Sequence, residues 1–308
     1  MSCATLARRR EDTMAVPAPS AVLELLKPIT WFPPMWAFGC GVVASGAPAG
    51  PQWALIVLGV VLAGPAICAT SQVVNDWYDR DVDAINEPQR PIPSGRIPGR
   101  WGFYLGLLWT ALSLLLASRL GPWAFAAAVL GLVLAWAYSA PPVRLKRNGW
   151  FGNTACAFSY EGLAWVTGSA VMINGAMPDP RSFALAVLYS VGAHGIMTLN
   201  DFKSIAGDRA MGIASLPVQL GVDGAARTAC AFMGVAQLAV VALLAVWGRP
   251  VSAGVVAALV VAQAILMRRF LQQPVERATW YSGLGVTLYV AGMLISAFAV
   301  RSLIGDAS

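Results

Sequence analysis

Charge is what this 308-residue chain has least of: Asp, Glu, Lys and Arg make up 12% of it, against 57% hydrophobic residues. At a mean hydropathy of +0.64, a water-soluble domain would expose large apolar patches, so composition points to a membrane protein. Histidine is nearly absent, His194 being the only one, and the five cysteines (Cys3, Cys40, Cys68, Cys156, Cys230) are scattered without a CxxC pair. Neither a zinc site nor a disulfide framework is expected. The first twenty residues hold basic side chains but no apolar run and no small-residue cleavage site, so they do not read as a signal peptide. They are expected to form a short flexible tail, part of a cytoplasmic N-terminal tail over 1–27, with a C-terminal tail over 301–308.

Long uncharged runs are what the chain has in abundance: 28–75, 101–118, 120–143, 162–178, 182–200, 228–248, 250–267 and 278–300 contain no Asp, Glu, Lys or Arg. About 20 apolar residues cross the hydrocarbon core as a helix. The first run is twice that length and breaks at Gly46–Pro51, so it is expected to hold two helices. The resulting expectation is an all-α, polytopic bundle of nine transmembrane helices over 28–300, near 29–46, 53–74, 102–118, 123–140, 154–173, 182–200, 228–248, 250–267 and 280–300.

A cytoplasmic N-terminus would place 17 Lys and Arg residues inside, from Arg8, Arg9, Arg10 and Lys27 through to Arg268, Arg269 and Arg277. Only Arg119, Arg181, Arg249 and Arg301 would remain outside. That asymmetry predicts N-in, C-out. It also accounts for the net charge of +6 without a nucleic-acid partner.

The loop after the second expected span packs four aspartates into eight residues, and Asp76, Asp79 and Asp83 recur at i, i+3, i+7. On a helix they share one face, with Asn75 one turn from Asp79. Like carboxylates ~4 Å apart repel by roughly 4 kcal/mol at an effective dielectric near 20, so a positive partner is required. Mg²⁺ suits, because it takes one or two carboxylates and completes its shell with water and phosphate oxygens. The plainer alternative is a solvated acidic loop at the headgroup level.

A second cluster, Asn200-Asp201-x-Lys203-x-x-x-Gly207-Asp208-Arg209, follows the sixth span and begins with the same Asn-Asp pair. Asp201 and Asp208 would lie two turns apart if the helix continued. Lys27, Arg90, Arg96, Arg144, Lys146, Arg147, Lys203 and Arg209 fall on the same expected side. Each alone reads as a topology marker, but together with two acidic clusters they suit a diphosphate and its metals.

These motifs resemble the UbiA-type intramembrane prenyltransferase superfamily, which includes 4-hydroxybenzoate polyprenyltransferase, haem O synthase and the chlorophyll synthases. The resemblance runs from Lys27 through Asn75-Asp76-x-x-Asp79-x-x-x-Asp83 and Tyr138-Ser-x-Pro-Pro-x-x-Leu-Lys146-Arg147 to the second cluster. Arg90-Pro-Ile-Pro-Ser-Gly95 narrows it to (bacterio)chlorophyll synthases and archaeal geranylgeranylglyceryl-phosphate transferases. His194 through Lys203 and Ser159-Tyr-Glu-Gly162 look like the bacteriochlorophyll synthase branch. Ser204 and Ala206 stand where many members of the superfamily carry acids, so no third carboxylate is expected at the second site.

What the resemblance implies is an intramembrane cavity closed by cytoplasmic cap loops in a bacterial inner (photosynthetic) membrane. Its donor would be geranylgeranyl or phytyl diphosphate, its acceptor the bacteriochlorophyllide propionate, and its cofactor Mg²⁺ held by Asp76, Asp79, Asp83, Asp201 and Asp208. Catalysis would rest on Asp76, Asp79, Asp201, Asp208 and Tyr138, with Asn75, Asn200 and the cations binding substrate. Membrane lipid surrounds such a protein, and photosynthetic assembly proteins are possible partners. The acceptor is already an anion at neutral pH, so no general base is required.

Three groups within expected spans keep more than one reading. Glu161 orients the acceptor, holds a cation or hydrogen-bonds a neighbouring helix. Tyr138 shields the carbocation or hydrogen-bonds the diphosphate, or it belongs to an interfacial aromatic belt. His194 lines the tetrapyrrole pocket or is a packing residue. A transporter is the rival class, since acids at helix ends also bind ions; chlorophyllide, glycerol-phosphate and aromatic acceptors are the rivals within the enzyme class.

Overall fold

The computed structural model describes residues 16–305. The expected cytoplasmic residues Arg8, Arg9 and Arg10, together with Cys3, most of the expected N-terminal tail and the last three residues of the expected C-terminal one, lie outside that range. The described chain is helical throughout, with no strand and one isolated bridge, between Asn148 and Ala214. In chain order the helices are α1 Pro19–Leu25, α2 Phe32–Ala44, α3 Gly50–Asn86, α4 Trp101–Ala117, α5 Pro122–Ser139 and α6 149–172. They continue with α7 Pro180–Asp201, the short α8 Ile205–Ala210, α9 Leu216–Val246, α10 Pro250–Phe270 and α11 Pro274–Gly305.

Six of these (α3, α5, α7, α9, α10, α11) are long and apolar enough to cross a membrane, while α2 and α4 are shorter apolar helices. Starts are marked by prolines at the first turn, whose missing N–H costs nothing there. At α7 the Asp179 side chain accepts from Arg181 N at 2.8 Å, and at α6 Asn148 accepts from Trp150 N at 2.9 Å.

Several expectations shift in detail. Residues 19–25 are helical and bury Ala21 and Leu25 against α3, and 301–305 continue α11, so the expected tails are in part helical. Helix α9 begins at Leu216, twelve residues before the expected 228, with a non-helical Gly221 inside it. Both α3 and α6 contain a π turn, Leu62–Cys68 around Pro65 and Phe158–Leu163.

Packing closes the bundle: α2 lies on α6 and α11, α7 on α6 and α9, and α10 between α9 and α11. The α2–α6 crossing depends on Gly41 and Gly168, where a Cβ would meet the Trp165 and Phe38 carbonyl oxygens at 2.0 and 2.1 Å. Buried polar side chains cross-link helices within the apolar interior. Trp165 Nε1 donates to Ser182 Oγ at 3.0 Å, and Tyr289 Oη donates to the Tyr189 carbonyl at 2.7 Å. Large apolar residues such as Val235, Val246, Val251 and Val261 stay on the outer surface, as a lipid-facing surface requires.

Candidate active site

Helix α3 runs unbroken through Asn86, so Asp76, Asp79 and Asp83 do share one face. Each meets a cation. Lys27 Nζ lies 2.6 Å from Asp76 Oδ1, Arg90 Nη1 lies 2.9 Å from Asp83 Oδ2 and 3.5 Å from Asp76 Oδ1, and Lys146 Nζ lies 2.5 Å from Asp79 Oδ2. Arg144 adds a contact to Asp79 at 3.3 Å, and Arg90 also pairs with Glu87. Asn75 is drawn in through its side-chain oxygen, which accepts from Lys146 Nζ at 3.1 Å and Ser139 Oγ at 3.2 Å. Burial pushes the Lys146 ammonium below the ordinary lysine range, while Asp79 pulls the other way.

The second cluster differs from the sequence expectation. Helix α7 ends at Asp201 and Asp208 belongs to the separate α8, so the pair is not carried on one continuous helix. The intervening Ser204 turns the chain and donates to Asp208 Oδ2 at 2.9 Å. Asn153 of α6 donates to Asp201 Oδ2 at 3.0 Å. Tyr138 lies within electrostatic reach of Asp79 in the first cluster and of Asp201 and Asp208 in the second.

The cap loops are tied to each other over this end of the bundle. Ala214 N donates to the Arg147 carbonyl at 2.8 Å and Gly149 N to the Ala214 carbonyl at 2.7 Å. This joins the segment carrying Arg144 and Lys146 to the one carrying Asp208.

Other expected residues stand apart. Arg96 is exposed and bound to Glu24 at 2.5 and 2.8 Å, where it holds that carboxyl below its usual range; it does not reach the aspartates. Arg147, Asn200, Lys203 and Arg209 are exposed. Asp83 is engaged by Arg90 at 2.9 Å, as Asp76 is by Lys27 and Asp79 by Lys146.

Among the described residues, no three His, Cys, Asp or Glu side chains converge as a preformed metal site. The expected five-aspartate metal set is therefore not a closed cage of protein ligands. Mg²⁺ does not need one, since substrate and water oxygens fill most of its shell. Asp76 Oδ2 fits that role: it is buried, on a residue 1% exposed, and has no hydrogen-bond partner among the described residues.

Below the charged cluster lies a cavity of about 190 Å³ between α3, α5 and α6. Its room comes from small side chains such as Ala63, Ala128, Gly131 and Ala135, and its lining includes Asn75 and Tyr138 at the charged end. Gln72, Cys68 and Tyr160 also line it, and sequence reading singled out none of them; the Ser-Tyr-Glu-Gly motif was the available signal.

Neither Glu161 nor His194 lines the cavity. Glu161 is buried within electrostatic reach of Cys40 and Tyr289, on α2 and α11, and its Oε2 has no partner among the described residues. His194 bonds Thr154 Oγ1 through Nδ1 at 3.0 Å and stacks on Phe232 and Trp150 at 4.4 and 5.7 Å between centroids. This is the packing reading of the histidine.

Known proteins place the chain in context. The bacteriochlorophyll synthase 33 kDa chain of Cereibacter sphaeroides is 56% identical over 94% of this chain and 95% of that protein. Its Rhodobacter capsulatus counterpart is 51% identical over 93% and 95%. Among solved structures, a digeranylgeranylglyceryl phosphate synthase matches with a TM-score of 0.72 at 18% identity, covering 91% of this chain and 98% of that one. A UbiA homologue from Archaeoglobus fulgidus bound to DMAPP and Mg²⁺ matches with 0.68 at 22%, covering 91% and 99%. The model of the UbiA prenyltransferase family matches residues 31–288, and the chain belongs to that family.

Proposed function

We propose that the chain transfers a geranylgeranyl or phytyl group from its diphosphate to the propionate carboxylate of bacteriochlorophyllide, forming the ester. One observation carries the geometry of this reading: Asn75 both binds Lys146 and lines the apolar cavity. A diphosphate held by the cations would thus point its hydrocarbon tail directly into the bundle. Identity of 56% to a bacteriochlorophyll synthase supports the acceptor, and membership of a prenyltransferase family sets aside the transporter reading.

The chemistry follows from the side chains. Lys27, Arg90, Arg144 and Lys146 surround the first acidic cluster and would bind diphosphate oxygens, offsetting charge as the allylic C–O bond breaks. Bound Mg²⁺, held by Asp76 and Asp79 with Asp201 and Asp208 at the second pair, would supply further charge stabilisation to the departing diphosphate. Apolar walls exclude water from the allylic cation. The Tyr138 ring, at the head of the cavity, faces that cation with π density.

The same reading gives nine crossings, with α2, α4 and α6 joining the six longer helices, and the cap loops, site and N-terminus cytoplasmic. The Lys/Arg asymmetry supports this orientation in a bacterial photosynthetic membrane, where co-purification would reveal any assembly partners. Single cysteines at Arg100 and Arg249 test it, the first reacting with impermeant reagent only from the cytoplasmic face. The decisive assay offers purified protein geranylgeranyl diphosphate with bacteriochlorophyllide and chlorophyllide in competition. Preferential esterification of chlorophyllide would replace the proposed acceptor.

A further inference from the structure

One polar group in the cavity wall has no part in the chemistry above. The π turn of α6 sets the Tyr160 ring against α3, where its Oη accepts from Gln72 Nε2 at 3.1 Å and lies 3.4 Å from Cys68 Sγ. Gln72 fills an acceptor position of the phenol. Because the single Cys68 hydrogen goes to the Thr30 carbonyl, the phenol hydrogen meets at most a weak sulfur acceptor and stays available to a stronger one such as a carboxylate. Cys68 is itself fixed by Thr30, through contacts of 3.4 and 3.5 Å to its carbonyl and hydroxyl. Tyr160, Gln72 and Cys68 all line the cavity. The hydroxyl is thus oriented from behind and borders the space that substrate would fill.

Its depth matters. Gln72 precedes Asn75 and Asp76 by three and four residues, one helical turn, about 4.5–6 Å further in at 1.5 Å per residue. The leaving diphosphate belongs on the Asn75–Lys146 side. A nucleophile approaching C1 opposite to it arrives at the level of Tyr160. A carboxylate entering these apolar walls gives up its water and needs a hydrogen-bond donor there.

We propose that Tyr160 binds the acceptor: its O–H donates to one oxygen of the incoming carboxylate and aims the other at C1. The inference rests on the ester-forming reading above. In that step the allylic C–O bond breaks with its electron pair leaving on the diphosphate, and a carboxylate lone pair forms the ester C–O bond. Tyr160 retains its proton throughout.

Tyr160→Phe keeps the ring and deletes the donor. With purified full-length protein, Mg²⁺ and geranylgeranyl diphosphate, the KM for bacteriochlorophyllide should rise at least about tenfold, the scale of a hydrogen bond to a charged group. The KM for the prenyl diphosphate should not move. If Tyr160 only braces α3 against α6, both KM values shift together or only the Tm falls, and the proposal is overturned. Gln72→Met gives a second arm that keeps Tyr160 but frees its hydroxyl, and acceptor affinity equal to wild type there also overturns it. Pigment absorption, read without prenyl diphosphate, separates the two levels of the argument. No binding by wild type defeats the ester-forming reading; equal binding by wild type and Tyr160→Phe defeats this inference alone.

Discussion

Lys27 Nζ lies 2.6 Å from one oxygen of Asp76, while the other oxygen is buried without a hydrogen-bond partner among the described residues. One half of the carboxylate is thereby neutralised and the other is left for a cation from outside the protein. Asp76→Asn keeps the shape and removes that charge. Turnover should fall by at least about 100-fold, the upper scale of losing support for a metal, and the Mg²⁺ concentration for half activity should rise. Chelation should stop wild-type turnover and Mg²⁺ restore it. Wild-type turnover and Mg²⁺ dependence in Asp76→Asn would remove Asp76 from the metal site.

Lys146 makes a pH prediction. Burial lowers its pKa, so as pH rises it loses its charge earlier than an ordinary lysine would. Because kcat/KM reports the free enzyme, kcat/KM for prenyl diphosphate should show an alkaline limb set by this group. Lys146→Arg, charged at all accessible pH, should carry that limb upward; Lys146→Ala should raise the prenyl diphosphate KM by about 10-fold or more. A limb that stays in place in Lys146→Arg assigns it to another group.

The acidic face was legible because i, i+3, i+7 spacing has one geometric meaning on a helix, and α3 does continue through Asn86. The break after Asp201 was harder to read, since Ser204 marks it only through a local turn and its bond to Asp208. Arg96 looked like a site cation because Glu24, its partner, fell in the expected N-terminal tail, outside the bundle. The cavity wall was invisible in sequence: lipid-facing and cavity-facing positions are both apolar, so no hydrophobic period separates them. The π turns escaped for a related reason, as one extra residue per turn leaves uniform apolar composition unchanged.

Closure of the cap loops can be tested at Gly149. An added Cβ would stand 2.7 Å from the Leu216 backbone nitrogen, and backbone does not yield cheaply. Gly149→Ala should strain the junction by about 1–3 kcal/mol, lowering Tm and, by parting the Lys146 and Asp208 segments, kcat/KM. Gly254→Ala, on α10 with open space around it, is the control and should hold or raise Tm. Equal behaviour of the two variants would show that the loop junction does not constrain the site.

His194 kept two readings in the sequence, pocket wall or packing, and its surroundings in the fold favour the second. It sits seven residues before Asp201, two turns along the same helix, which made a pigment-facing role reasonable. In the fold it does not line the cavity, and its ring is stacked with Trp150 and Phe232 while Thr154 occupies Nδ1. Nε2 is buried without a partner among the described residues, so nothing outside the packed helices reaches it in this structure. His194→Phe preserves the stack and removes one hydrogen bond, which sets the expected loss of stability at about 1 kcal/mol. Acceptor KM and the absorption of bound pigment should match wild type. A weakened acceptor with an altered bound spectrum, in a variant of near-normal Tm, would return His194 to the pocket and require the α6–α7–α9 contact to open during binding.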